Sequence, residues 1–122
     1  MKYKVMIVDD QTISREMFSL YIKNSNNYEL VYSIDSAMFA DTYILNEDID
    51  IIIMDILMDD DSNGLSAASK IKKIKPEIKI IAVTSMPEVS WMEKARTIGI
   101  ESFWYKEASE ENIISIMDRT MR

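Results

Sequence analysis

Apolar runs alternate with helical patterns from one end of the chain to the other. Residues 3–9, YKVMIVD, read as a strand, and residues 12–24 as a helix with Ile13, Met17, Leu20 and Tyr21 on one face. A second strand is expected at 28–33 (YELVYS), then a helix at 36–46 with Ser36 as N-cap. The third strand is DIIIMD at 50–55, followed by a helix at about 64–74 that aligns Ala67, Ala68, Ile71 and Ile74. IKIIAVT at 78–84 is the fourth strand, and the helix at 87–98 opens on Pro87, a residue suited to a first turn. IESFWY at 100–105 is the fifth strand, and the last helix spans 110–121, with Ser109 as N-cap and Ile113, Ile114, Met117 and Met121 on one face. The helix at 87–98 has a weak apolar stripe and is expected to pack lightly.

Strands 1, 3 and 4 are nearly continuous in apolar residues, the pattern of strands covered on both faces. Strand–helix alternation with such strands implies a parallel sheet wrapped by helices on both sides, here one α/β domain over residues 1–122. Length agrees, since 122 residues make one domain with an ordinary core.

Charge and composition narrow the chemistry. A net charge of −7 disfavours direct binding to nucleic acid or an anionic membrane, and no apolar run reaches membrane-spanning length. The start lacks the apolar stretch of a secretory signal, so a cytoplasmic protein is expected. With no histidine and no cysteine, serine–histidine and cysteine–histidine catalysis are excluded, and any metal must be held by oxygen.

Ligands of open parallel sheets bind beyond the carboxyl ends of the strands. Strand 1 ends in Asp9 and Asp10, strand 3 in Asp55, strand 4 in Thr84 and Ser85, and strand 5 leads to Lys106. Three carboxylates gathered on one rim repel one another unless a cation sits among them, and Mg2+ (or Mn2+) suits such a set. Lys106 offers fixed positive charge and Thr84 a hydroxyl donor to phosphoryl oxygens. The nucleophile that remains is a carboxylate, and aspartyl phosphate is an established covalent species.

The acid pair at 9–10, MD ending at Asp55, VTS holding Thr84 and FWYK ending at Lys106 together resemble a receiver domain of a two-component response regulator. The resemblance covers essentially the whole chain. It implies a doubly wound, flavodoxin-like fold with a five-stranded parallel sheet of order 2-1-3-4-5. It implies that Asp55 accepts a phosphoryl group from a partner sensor histidine kinase. Asp9, Asp10, Asp55 and the backbone carbonyl of Leu57 would hold Mg2+, while Thr84 and Lys106 contact the phosphoryl oxygens. Phe103 would be the switch aromatic that follows Thr84. A homodimer on phosphorylation is a possible consequence. The ending YKEAS at 105–109 is similar to receivers that precede a LuxR-type helix-turn-helix, so DNA would be met only through an output domain outside this chain. Either the chain belongs to a longer regulator or it is a stand-alone receiver. The alternative function is a pseudo-receiver, the same fold used as an unphosphorylated protein-binding module.

Other classes fail on particular residues. A dehalogenase-type phosphatase needs a second acid where this chain has Leu57. A flavin-binding loop after strand 1 would not carry the acids of DDQT. The D-x-D-x-N-G run from Asp59 to Gly64 starts like a helix–loop–helix calcium loop, but its twelfth position is Lys70 rather than glutamate, and a strand precedes it. Asp59, Asp60 and Asp61 are expected to form a solvated turn. The loop lacks the proline that receivers commonly place four residues after the aspartate, and its glycine comes nine after rather than eight. Leu57 and Met86 are both apolar, which for this family implies slow self-dephosphorylation.

Overall fold

A computed structural model describes residues 1–56, 64–85, 89–106 and 111–122. Five strands and five helices alternate: β1 (Tyr3–Val8), α1 (Thr12–Lys23), β2 (Tyr28–Ile34), α2 (Ala40–Asn46), β3 (Ile51–Asp55), α3 (Gly64–Ile74), β4 (Lys79–Thr84), α4 (Val89–Ile98), β5 (Ser102–Tyr105) and α5 (Ile113–Met121). All strand pairs are parallel, in the order β2-β1-β3-β4-β5. The parallel sheet is the one the alternation predicted, and its doubly wound, flavodoxin-like order is the one the resemblance to receivers implied. Leu57, Asp59–Asp61, Met86, Pro87 and Ser109 lie outside the described residues.

Alternate residues of the central strands face opposite layers, as the two-residue strand period requires. Met6, Val8, Ile52, Met54, Ile80 and Ala82 pack under α2, α3 and α4. Val5, Ile7, Ile51, Ile53, Ile81 and Val83 pack under α1 and α5. Burial on both faces explains why β1, β3 and β4 read as unbroken apolar runs. Among the described residues no helix is long and apolar enough to cross a membrane.

The face expected for α1 is corrected. Ile13, Leu20 and Tyr21 are exposed, and the helix buries Ser14, Phe18 and Ile22 instead. The two stripes lie one residue apart, about 100° of helical rotation. Phe18 decides between them by packing edge-on to Trp104 of β5, with ring centroids 5.6 Å apart. Ile74 of α3 is likewise exposed, whereas Ala67, Ala68 and Ile71 are buried as expected. Ser36 does not cap α2. Its hydroxyl accepts from the Met38 N–H at 3.2 Å in a local turn, and the helix begins four residues later, with Phe39 at its N-cap position. The cap of α5, expected at Ser109, is corrected to Asn112: the helix begins at Ile113, and the Asn112 side chain accepts from the Ser115 N–H. α4 ends at Gly99, whose φ of +102° turns the chain so that the Ile100 N–H reaches back to the Ala95 carbonyl at 3.0 Å.

One polar contact ties the start of β2 to the end of α5. The Tyr28 hydroxyl donates to Asp118 Oδ1 at 2.7 Å. Burial, then this hydrogen bond and the Asp118 charge, push the Tyr28 phenol above its ordinary range. The folded state therefore favours the protonated phenol. The stability it contributes is fully present below the unfolded pKa of about 10 and is lost as pH rises above that value. Tyr28→Phe is expected to cost about 1–2 kcal/mol at pH 7 and to flatten the alkaline loss. Urea midpoints of both proteins at neutral pH and above pH 10 check this; parallel alkaline declines would contradict it.

Candidate functional site

Register brings the strand-end residues together. Val8 pairs with Met54, so the next residues, Asp9 and Asp55, lie side by side. Asp55 pairs with Val83, which brings Thr84 to the same rim. Thr84 pairs with Tyr105, so Lys106 follows at the edge. Backbone hydrogen bonds extend each strand pair past its end: Asp9 N–H to the Ile34 carbonyl, Ile56 N–H to Val83, and Lys106 N–H to Thr84.

The result is a buried acid pocket. Asp9 and Asp55 are 1% and 3% exposed, which isolated strand-end carboxylates would not tolerate without a counter-charge. That counter-charge is Lys106, whose Nζ lies 2.8 Å from Asp9 Oδ2 and 3.2 Å from Asp55 Oδ2. Asp10 is half-buried beside them, and one carboxylate oxygen from each of the three aspartates falls within 4.8 Å of the others. Thr84 is buried at the same rim.

Lys106 does not satisfy this pocket fully. Asp9 Oδ2 is buried, and among the described residues no donor makes an aligned hydrogen bond to it, although the ammonium is close. Asp9 Oδ1, by contrast, accepts from the Gln11 N–H at 2.9 Å. A buried carboxylate oxygen without an aligned hydrogen bond, within a triad of aspartates, belongs to a donor set that fits a hard divalent cation, and Mg2+ above all where phosphate oxygens complete the shell.

Phe103 sits at the sheet edge, paired with Ala82 and half-buried against the layer that contains Ala95 and Ile98 of α4. Beside it on the same face, the Tyr105 hydroxyl donates to Met92 Sδ of α4 at 2.8 Å. Of α4, Ala95 is fully buried, while Trp91, Met92 and Ile98 are only partly so. That agrees with the light packing expected from its weak stripe.

Two contributors, Arg15 and Gln11, escaped the sequence reading, as did the contact made by a third, Gly64. Arg15 donates through Nη1 to the Asp9 carbonyl at 2.8 Å, bracing the turn that presents the acid pair. Gln11 reaches both Asp9 and Lys106. Gly64, the first residue of α3, lies against the backbone of Asp55, where a Cβ would overlap the Asp55 carbonyl oxygen and stand 2.8 Å from Ile56 Cα. Only the glycine carried a visible signal, its position after the acidic run.

A five-stranded doubly wound sheet with an aspartate triad and a lysine at its carboxyl rim defines a receiver domain. The family model of the response regulator receiver domain matches residues 5–118, and the chain belongs to that family. Response regulator protein VraR of Staphylococcus aureus (strain NCTC 8325 / PS 47) is 33% identical over 122 residues, covering 100% of this chain and 58% of the relative. VraR of Staphylococcus epidermidis (strain ATCC 12228 / FDA PCI 1200) is 33% identical over 120 residues, covering 98% of this chain and 57% of its own length. The chain thus spans little more than half of these relatives. Among solved structures, a LuxR-family DNA-binding response regulator from Staphylococcus aureus is 25% identical with a TM-score of 0.88, over 98% of this chain and 99% of that one. A CheY-like receiver from Methanospirillum hungatei JF-1 shares the fold, with TM-score 0.87 and 20% identity over 98% of this chain and 93% of that one. Membership of this family is consistent with two-component signalling.

Proposed function

We propose that the domain is a phosphorylation-dependent switch in which Asp55 is the phosphoacceptor. The observation that carries this is the pairing of a buried Asp55 with the Lys106 ammonium at 3.2 Å, within a triad of carboxylates completed by Asp9 and Asp10. A buried carboxylate facing a fixed cation, at the mouth of a sheet, is a nucleophile with its charge partner already in place.

An Asp55 carboxylate oxygen attacks the donor phosphorus in line. The new P–O bond forms as the bond from phosphorus to the leaving group breaks, and the leaving group takes that electron pair. With a phosphohistidine donor on a sensor histidine kinase, the leaving group is the imidazole nitrogen. Mg2+, held by Asp9, Asp10, Asp55 and the Leu57 carbonyl, would neutralise phosphoryl charge. Lys106 shifts from the carboxylates to a phosphoryl oxygen, and the Thr84 hydroxyl donates to another. Thr84 and Phe103 then bias the rim around α4 and β5 towards the active conformation. By analogy with the LuxR-family neighbour, the output so controlled is DNA binding by another domain, and homodimerisation on phosphorylation fits the same scheme. The domain catalyses only its own phosphotransfer and dephosphorylation.

Intact-mass measurement after incubation with Mg2+ and acetyl phosphate tests the reading. One added phosphoryl group is expected on the native protein and none on Asp55→Asn. An adduct that survives in Asp55→Asn, or that forms equally well in EDTA, would overturn it.

A further inference from the structure

Gln11 occupies the N-cap of α1, where serine, threonine, aspartate or asparagine is the usual residue. Its side chain makes no cap hydrogen bond. The carboxamide oxygen accepts instead from Ser14 Oγ at 3.1 Å and from Lys106 Nζ at 3.4 Å. A helix start that forgoes its cap at the edge of a reaction pocket breaks a local rule where function is concentrated.

The geometry points to Gln11 as a positioning residue that sets where the Lys106 ammonium rests. This rests on the reading of Asp55 as phosphoacceptor. Among the described residues, three oxygens lie close to Nζ: Asp9 Oδ2 at 2.8 Å, Asp55 Oδ2 at 3.2 Å and Gln11 Oε1 at 3.4 Å. An ammonium has three protons and accepts nothing, so only the oxygen end of the carboxamide can face it. Asp9 and Asp55 draw the ammonium into the pocket, and Gln11 draws it towards the open rim, where an incoming phosphoryl group arrives.

The neutrality of this third acceptor matters. When Lys106 turns to a phosphoryl oxygen, a glutamine releases it without leaving another charge unpaired. A glutamate in the same place would hold the ammonium and repel an anionic donor. The backbone beneath Gln11 is fixed on both sides. Its N–H is bound to Asp9 Oδ1, its carbonyl accepts from the Arg15 N–H at 3.1 Å, and the Arg15 guanidinium holds the Asp9 carbonyl. The side chain therefore starts from a fixed point.

Two variants test this, with three readouts. Gln11→Met keeps the length of the side chain and removes the oxygen; Gln11→Glu keeps an oxygen and adds charge. The readouts are thermal midpoint, rate of phosphoryl uptake from acetyl phosphate with Mg2+, and the Lys106 Cε–Hε NMR signal without phosphodonor. For Gln11→Met we expect an unchanged midpoint, roughly tenfold slower uptake, and a Lys106 signal moved from its native position. For Gln11→Glu we expect a Lys106 signal close to native together with slower uptake. A native uptake rate in Gln11→Met overturns the proposal, as does slowed uptake with an unmoved Lys106 signal. If the native protein takes up no phosphoryl group, the reading of Asp55 fails, and the Lys106 signal still decides whether Gln11 holds the ammonium.

Discussion

Gly64→Ala is expected to lower the thermal midpoint by roughly 10 °C, a loss of about 3 kcal/mol for a domain of this size. The added methyl would overlap the Asp55 carbonyl oxygen and stand 2.8 Å from Ile56 Cα. Both obstacles are backbone, so no side-chain rotation relieves them. Either the first turn of α3 lifts from the sheet, or the end of β3 moves and takes Asp55 with it. Phosphoryl uptake should therefore fall along with stability. Gly99→Ala is the contrasting case. Its Cβ would meet nothing within 4 Å, and the penalty is the backbone strain of a φ of +102° alone, about 1–2 kcal/mol. It should leave phosphoryl uptake intact below its own midpoint. Thermal scans and uptake rates of the two variants separate the effects. Equal behaviour of both would show that the contact between α3 and β3 does not position Asp55.

Much of this arrangement was legible in the sequence. The apolar runs of β1, β3 and β4 are unmistakable because both layers cover them, and each ends in a polar residue with a reason to be there. Once the strands are ordered 2-1-3-4-5, Asp9, Asp55, Thr84 and Lys106 meet through register alone. What escaped depends on tertiary choice. α1 carries apolar residues on two neighbouring stripes, and the longer one, through Ile13 and Leu20, is the exposed one. Phe18 settles the matter only through Trp104, a residue 86 positions away in the chain. Ser36 had the right chemistry for a cap and caps a turn instead, because the chain makes another bend before α2. Nothing in the sequence marked Gln11, just before α1, or Arg15 within it. Their role appears only when the turn after β1 places them against Asp9.

Lys106→Met is expected to destabilise the Mg2+-free domain by about 3–5 kcal/mol at neutral pH, because it strips the counter-charge from buried carboxylates. Asp9 and Asp55 are 1% and 3% exposed, so neither can turn to solvent without opening the rim. Methionine keeps most of the packing of the lysine stem, so the loss reports charge rather than volume. Millimolar Mg2+ should recover much of it, since a divalent ion among the same oxygens supplies the missing positive charge. The rise in thermal midpoint on adding Mg2+ should thus be larger in Lys106→Met than in the native protein, as linkage requires when the cation binds the folded state more tightly. Catalysis should not recover in step. Mg2+ replaces Lys106 as a counter-charge, but not as the donor to a phosphoryl oxygen, so uptake from acetyl phosphate should stay about a hundredfold below native even at saturating Mg2+. Thermal scans with and without EDTA, together with uptake rates, divide the structural role of Lys106 from its chemical one. A variant that loses stability and gains nothing from Mg2+ would mean that the acid pocket is held by Lys106 alone. A variant that regains native uptake would mean that the ammonium serves the fold rather than the phosphoryl group.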